Sequence, residues 1–119
     1  MTNLEVASEQ KGEAWVIHMK GFLDAHNHGL LRDAVREHMQ KGRNRLVLDF
    51  GQLTYIGSSG IEVILSNLQP LRDAGGDFAL CAMSPKIYKV FDLLGLPSFF
   101  TIRDTVDEAV AALAPKPGV

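Results

Sequence analysis

The sequence predicts an α/β protein in which four helices pack on a mixed, mostly parallel sheet of about five strands. From residue 13 onward, stretches with the apolar pattern of strands alternate with stretches that have the residue spacing of helices. Two strands follow each other at the start, at residues 4–9 and 14–21, joined through the turn-like QKGE. The alternation favours parallel pairing, whereas the opening pair indicates an antiparallel or mixed edge.

The first helix is predicted after the second strand. Its apolar residues recur at three- and four-residue spacing between residues 30 and 39. Asp24 is well placed to cap the start of this helix, and Gly42 suits its end. The next stretch, RLVLDF at residues 45–50, is a near-continuous apolar run that is typical of a strand covered on both faces. Asp49 is therefore expected to end a strand.

A second amphipathic helix is predicted over residues 61–71, after the junction IGSSG, and it closes at two glycines. At its start, Ser59 and Glu62 have the spacing of a capping box, in which the serine accepts a backbone hydrogen bond and the glutamate reaches back. Gly57 and Gly60 would then allow the chain to turn tightly.

The last third of the chain continues the alternation. FALCAM, residues 78–83, reads as a buried strand, and a helix follows with Ser84 as its cap and Pro85 in its first position. SFFTI, residues 98–102, is predicted as a short strand. The final helix is predicted to begin with a capping box formed by Thr105 and Glu108.

Length and composition indicate one domain over residues 1–119, with a core at about residues 4–113 and a disordered tail at 114–119. A net charge of −2 gives no support for nucleic-acid binding. Cys81 is the only cysteine, so no internal disulfide forms, and its apolar setting indicates a buried thiol. The chain shows no secretory signal and no membrane-spanning apolar run, so we expect a soluble cytoplasmic protein without direct membrane insertion.

Three polar features are expected at one edge of the predicted sheet, because parallel strands end there and their loops enter helices. These features are Asp24, Asp49 and the pair Ser58 and Ser59. A serine at an exposed helix start can cap the helix, and it is also a good phosphate acceptor because the added charge faces the positive end of the helix dipole. The pattern alone leaves both roles open.

The sequence gives little support for an enzyme or for a metal-binding protein. GSSG is not the G-x-S-x-G nucleophile elbow, and no phosphate-binding G-x-x-x-x-G-K-S/T loop is present. His26 and His28 are more simply surface residues than metal ligands. Asp24 and Asp49 could pair as acid and base, but a helix cap and a strand end are commoner roles for them. We therefore expect no enzyme, no metal and no cofactor.

Four segments, in this order and spacing, carry a resemblance. They are GFLDAHN at residues 21–27, LVLDF at 46–50, IGSSGIEVIL at 56–65 and FTIRDTVDEAV at 100–110. Together they resemble the STAS domain (sulfate transporter and anti-sigma factor antagonist) in its free-standing bacterial form. The resemblance runs from about residue 4 to residue 113.

The resemblance implies that the chain is an anti-sigma factor antagonist that works by partner switching. In the family, the residue before the signature glycine is phosphorylated, which matches Ser59, with Ser58 as an alternate. The unphosphorylated antagonist binds an anti-sigma factor, often a serine kinase of the histidine-kinase ATPase fold, and frees the sigma factor. The kinase phosphorylates and releases the antagonist, and a PP2C-type phosphatase resets the cycle. The partner-binding positions that the resemblance implies are Asp24, Asn27, Asp49, Gly57, Ser58 and Gly60.

Two positions depart from the family pattern. Gly57 stands where aspartate is usual, and Glu62, where a small glycine is common, would compete with and repel a phosphate on Ser59. These departures favour a second hypothesis, a STAS scaffold that is never phosphorylated or a regulatory subunit of a transporter. A third hypothesis is a nucleotide or small-molecule site at the Asp24–Ser59 edge. The lack of a phosphate loop and of nearby Lys or Arg argues against it. The sequence leaves homodimer formation open.

Overall fold

A computed structural model of the protein describes residues 3–115. Five strands and four helices follow one another along the chain in the order β1 (Leu4–Lys11), β2 (Ala14–Leu23), α1 (His28–Gln40), β3 (Arg45–Ile56), α2 (Ser58–Asp73), β4 (Asp77–Cys81), α3 (Pro85–Leu93), β5 (Thr101–Arg103) and α4 (Val106–Leu113). Residues 116–119 of the predicted tail lie outside the described residues. No helix within residues 3–115 is long and apolar enough to cross a membrane.

The five strands form one sheet in the spatial order β1-β2-β3-β4-β5. β1 pairs with β2 in the antiparallel sense. The pairs β2–β3, β3–β4 and β4–β5 are all parallel, as expected for strands that are joined through helices. The predicted α/β class, with a mixed and mostly parallel five-stranded sheet and four helices, is therefore confirmed.

The helices divide between the two faces of the sheet. Buried residues of α1, α2 and α3 pack into the larger core, where the rings of Phe50 and Phe91 meet edge to face with centroids 5.9 Å apart. α4 covers the other face through Ala109 and Leu113, in a smaller cluster that includes Cys81. Burial raises the pKa of the Cys81 thiol to about 12, so this cysteine is protonated and structural, as its apolar setting predicted.

Three helix ends follow their predictions. Gly42 has a φ of +75° just after α1, where a left-handed residue closes the helix. The Ser84 side chain accepts a hydrogen bond from the backbone N–H of Ile87 at the start of α3. Thr105 accepts a hydrogen bond from the backbone N–H of Glu108, although the glutamate carboxylate bonds the threonine hydroxyl and not its backbone N–H.

Strand β3 is longer than predicted. Its pairing with β4 stops at Asp49, but β3 continues beside β2 until Leu23 pairs with Ile56. A continuous apolar run could not reveal this extension, because residues 51–56 are only half covered and mix buried with exposed side chains. Asp49 therefore lies within β3, and the prediction that it ends the strand is wrong. Beyond Asp49, β3 pairs with β2 alone, and the paired ends of these two strands at Leu23 and Ile56 form a tip that carries both loops.

Gly60 lets α2 pack closely against this tip. A Cβ at Gly60 would lie 2.5 Å from Cγ of Leu23 and 3.2 Å from Cγ1 of Ile56. Because both of these side chains are buried at the ends of their strands, they have little room to move. The absent side chain of Gly60 thus fixes how close the first turn of α2 comes to the sheet.

We expect Gly60→Ala to lower the free energy of unfolding by about 1–3 kcal/mol, despite the better helix propensity of alanine, because the new methyl group overpacks the core. Gly57→Ala is the matched control. A Cβ at Gly57 comes no closer than 3.4 Å to its neighbours, so this change should cost less than about 1 kcal/mol. Urea denaturation measures both values, and equal losses in the two variants would contradict close packing at Gly60.

Candidate functional site

The site lies where β2 and β3 end side by side. The backbone N–H of Gly57 donates to the carbonyl of Leu23 over 2.8 Å, which holds the β3–α2 junction against the β2–α1 loop. A Cβ at Gly57 would lie 3.8 Å from Cα of Asp24. The structure therefore brings Asp24 and the Ser58–Ser59 pair to one edge, as the alternation of strands and helices predicted.

Asn27 organises the loop between β2 and α1. Its side-chain oxygen accepts from the backbone N–H of Asp24 over 2.9 Å, and its amide nitrogen donates to the carbonyl of Phe22 over 2.8 Å. Since only 8% of Asn27 is exposed, this residue supports the loop from inside. Any contact with a partner would come from its neighbours, and a binding role for Asn27 stays a prediction.

Asp24 does not cap α1, so that prediction is wrong. The helix begins at His28 with Asn27 in the N-cap position, and the Asp24 carboxylate instead accepts from the backbone N–H of His26 over 2.9 Å. Four residues, 24–27, lie between the strand and the helix, and this places Asp24 about one turn too early to reach the helix donors. Its second carboxylate oxygen has no hydrogen-bond partner within residues 3–115 and is free to meet another molecule.

Helix α2 begins at Ser58, with Gly57 in the N-cap position and no capping side chain. Ser59 is thus the second helical residue, and the predicted capping box with Glu62 is wrong, because the S-x-x-E pattern does not fix the frame in which the helix starts. Gly57 has a φ of −98°, open to any residue, and Gly60 is also not left-handed, so neither glycine serves a tight turn.

Both serine hydroxyls are therefore available. Ser58 is exposed and Ser59 is partly exposed, and in the part of the chain that the structure describes neither hydroxyl has a hydrogen-bond partner. Gly60, in contrast, is buried. Gly60 serves the packing of α2 on the sheet, and a partner-binding role for it stays a prediction.

An apolar groove of about 400 Å³ opens on one side of Ser58. Leu65 of α2 and Leu94, just after α3, line it and are 41% and 57% exposed. Nearby at the strand ends, the rings of Phe22 and Tyr55 meet edge to face with centroids 6.4 Å apart, and the two residues are 46% and 49% exposed. Exposed apolar side chains around a polar centre are a common feature of protein docking surfaces.

A second groove, of about 350 Å³, lies between α1 and α2, and we call it the α1–α2 groove. Its lining comprises His28, Arg32 and Arg36 from α1 and Ser59, Glu62, Val63, Ser66 and Asn67 from α2. The expectation that no Lys or Arg lies near Ser59 is therefore wrong. The four-residue spacing of the two arginines shows that they share a helix face, but only the packing of α1 beside α2 shows that this face meets Ser59.

Asp49 does not flank Ser59. It projects from the sheet face that α4 covers, the same face as Val47, whereas α2 packs on the opposite face. Its carboxylate pairs over 2.6 Å with Nδ1 of His18, whose Nε2 meets Glu9, also over 2.6 Å. The prediction of Asp49 beside the phosphate acceptor is wrong, because β3 runs on for seven residues after it. Sequence reasoning also missed His18, which pairs with Asp49 in the strand register.

Partial burial lowers the pKa of His18, but the hydrogen bonds and negative charges of Asp49 and Glu9 together outweigh this effect. The pKa is therefore raised above the ordinary value of 6.5. Another histidine behaves in the opposite way. Burial and the neighbouring charge of Arg43 lower the pKa of His38, which packs against Trp15.

The fold and this edge define a small α/β module with an available serine between a basic groove and an apolar groove. The STAS domain model matches residues 5–109, and the chain belongs to the STAS domain family. An anti-sigma F factor antagonist of Paenibacillus polymyxa is 30% identical over 112 residues, which cover 93% of each chain. BtrV of Bordetella bronchiseptica, named as a candidate anti-sigma factor antagonist, is 33% identical over 94 residues, 79% of this chain and 81% of that protein.

Solved structures share the fold. The phosphorylated form of the Bacillus cell fate determinant SpoIIAA superposes with a TM-score of 0.72 at 26% identity, over 91% of this chain and 98% of that one. An anti-sigma factor antagonist from Mycobacterium paratuberculosis gives a TM-score of 0.84 at 23% identity, over 92% and 93% of the two chains. The STAS resemblance inferred from the sequence motifs is confirmed.

The raised pKa of His18 makes its contribution to stability depend on pH. The folded state holds the proton more tightly than the unfolded state, so the contribution is complete below about pH 6.5 and is lost as the pH rises through the folded-state pKa. We expect the stability advantage of the wild type over His18→Gln to be larger at about pH 6 than at about pH 9. Urea denaturation at the two values measures it.

His26→Gln is the control for this experiment, because it removes a histidine that is exposed and whose ring contacts no carboxylate within the described residues. The lowered pKa of His38 is common to all three proteins and cancels in the differences. A pH-independent difference between the wild type and His18→Gln would show that the Glu9–His18–Asp49 ion pairs do not stabilise the fold.

Proposed function

We propose that this protein is an anti-sigma factor antagonist controlled by phosphorylation of Ser59. One observation carries the proposal: Ser59 has a partly exposed, unbonded hydroxyl in the first turn of α2, directly before Gly60, the glycine that α2 needs to pack on the sheet. The names of its relatives and the phosphorylated form of a structural neighbour point the same way. Ser58 is the alternate acceptor.

In the proposed cycle, the unphosphorylated protein binds an anti-sigma factor and thereby releases the sigma factor. The anti-sigma factor is a serine kinase of the histidine-kinase ATPase fold, which transfers a phosphate to Ser59 and then dissociates. A PP2C-type phosphatase removes the phosphate and resets the protein. The antagonist itself needs no catalytic group in this scheme, only an accessible hydroxyl and a surface that the kinase recognises.

The proposed docking surface combines the apolar groove beside Ser58 with the free carboxylate oxygen of Asp24. Burial of Leu65 and Leu94 would supply binding free energy of about 25 cal/mol per Å² of apolar surface. A phosphate on Ser59 adds a charge of roughly −1.5 to −2 at the border of this surface. Because the charge would have to lose water when the partner docks, binding should weaken without a large change of fold.

A STAS module that is never phosphorylated, serving as a scaffold or as a transporter-associated subunit, is the second candidate. Glu62 favours it, since this carboxylate borders both grooves and lies one helical turn from Ser59. Repulsion between Glu62 and a phosphate would make the modification less favourable. The two candidates differ in whether Ser59 gains a phosphate in cells.

We expect Ser59→Ala to abolish phosphate incorporation when the protein is purified from its own cells and its mass is measured intact and by peptide mapping. Ser58→Ala, the matched control on the same turn, should keep the phosphate. Because Ser59 is not a cap, its replacement should change the free energy of unfolding by less than about 0.5 kcal/mol. Phosphate that persists in Ser59→Ala would move the acceptor to Ser58, and no phosphate in the wild type under growth or stress would support the scaffold.

Charge at position 59 should control docking. We expect tagged Ser59→Asp to retain much less anti-sigma factor from a lysate than the wild type, as measured by quantitative mass spectrometry. Ser59→Asn has nearly the same size and no charge, and it should bind more strongly than Ser59→Asp. Equal binding of the two variants would exclude charge as the switch.

Asp24→Asn tests the polar part of the docking surface. Asparagine keeps an oxygen that can accept from the N–H of His26, so the loop and the free energy of unfolding should change little, by about 0.5 kcal/mol or less. Affinity for the anti-sigma factor, measured by calorimetry, should fall several-fold because a charge is lost. A variant that loses stability but keeps its affinity would make Asp24 a purely structural residue.

A further inference from the structure

We propose that Arg32 and Arg36 of α1 bind the phosphate on Ser59 within the same chain, so that phosphorylation ties α1 to α2 across the α1–α2 groove. This inference rests on Ser59 as the phosphate acceptor. It adds an intramolecular binding site for the phosphate, formed by side chains outside the signature segment IGSSG.

The packing of the two helices places the arginines near Ser59. α1 and α2 follow β2 and β3, whose ends pair in parallel at Leu23 and Ile56, so the two helices start side by side at the same edge of the sheet. Ser59 belongs to the first turn of α2, and the arginines line the facing wall of the groove. A groove of about 350 Å³ has room for a phosphate group and bound water.

The arginines are not engaged by the carboxylate that shares the groove. Arg36 has no ion-pair or hydrogen-bond partner among residues 3–115, and neither arginine lies within ion-pair distance of Glu62. Arg32 has only a long contact of 3.4 Å between its Nε and the exposed carboxylate of its neighbour Asp33. Exposed pairs of this kind contribute little, about 0–1 kcal/mol, so the pair would yield to a stronger anion.

Arg32 lines the groove but its guanidinium lies along the surface of α1. Its Nη2 would lie 3.1 Å from a Cβ at Gly29, so the guanidinium folds back over the first turn of α1. The missing side chain of Gly29 leaves space for this conformation. Because Arg32 and Ser59 line the same groove, we expect rotation of the arginine side chain to bring its guanidinium to a phosphate on Ser59.

The chemistry favours phosphate over the existing carboxylates. A phosphate monoester carries roughly twice the charge of Glu62 and three acceptor oxygens, and arginine binds two of them at once through parallel N–H donors. His28 lines the same end of the groove, and its Nδ1 donates to the carbonyl of Ala25 over 3.1 Å, so its Nε2 remains available as a further contact. The two arginines would also offset the repulsion from Glu62.

The test uses full-length protein with phosphoserine incorporated at position 59 by an expanded genetic code, so that the result does not depend on any kinase. ³¹P NMR titration gives the second pKa of the phosphate, which is ordinarily near 6. We expect this pKa to be lowered by about one unit in the phosphorylated protein, because nearby cations favour the dianion. Phosphorylation should also raise the Tm.

Two variants supply the comparison. In Arg32→Gln with Arg36→Gln, the phosphate pKa should return toward its ordinary value and the gain in Tm should disappear. In Arg45→Gln, which removes a cation at the opposite edge of the sheet, both effects should remain. Equal phosphate pKa values in all three phosphorylated proteins would overturn the proposal and would place the phosphate in solvent.

A free anion is the alternative occupant of the groove. To test this alternative, inorganic phosphate or ATP is added to the unphosphorylated protein, and the arginine side-chain N–H signals are followed by NMR. The intramolecular site would be overturned if these signals move when free anion is added but are the same in the unmodified and the phosphorylated protein. Failure of the proposed function has a different signature, an absence of phosphate on Ser59 in cells, and leaves the NMR result unaffected.

Discussion

The parallel pairing of the ends of β2 and β3 is the constraint on which the rest of the site depends. Leu23 and Ile56 are register partners, and the backbone of Gly57 bonds directly to the carbonyl of Leu23. Because Gly60 has no side chain, α2 starts in contact with both strand ends. The positions of the loop before α1, of both serines and of the groove between the helices all follow from this close approach.

Ser58 and Ser59 separate two surfaces of different chemistry. The groove beside Ser58 is apolar and exposes Leu65 and Leu94, as a surface for a protein partner would. The groove beside Ser59 is polar and carries two arginines from α1. A phosphate at Ser59 would thus disturb one surface and be held by the other. The proposed switch and the proposed intramolecular site therefore both follow from the position of Ser59 at the border of the two grooves.

The charged residues on the opposite sheet face have a different role. Glu9, His18 and Asp49 form adjacent ion pairs on strands β1, β2 and β3, beyond the area that α4 covers. They join the antiparallel edge strand to the parallel part of the sheet through side chains as well as backbone. The sheet lies between this network and Ser59, and its three side chains share no hydrogen bond or ion pair with the serine.

The order of elements, the mixed sheet and the three helix ends at Gly42, Ser84 and Thr105 were determined by the sequence itself, because apolar periodicity and end residues act locally. Local patterns also placed Asp24 and Ser59 at one edge. They could not fix the helix frame at Ser59, the length of β3 or the true neighbours of Asp49. Those features, and the two arginines beside Ser59, depend on strand register and helix packing between residues far apart in the chain, which only the tertiary structure decides.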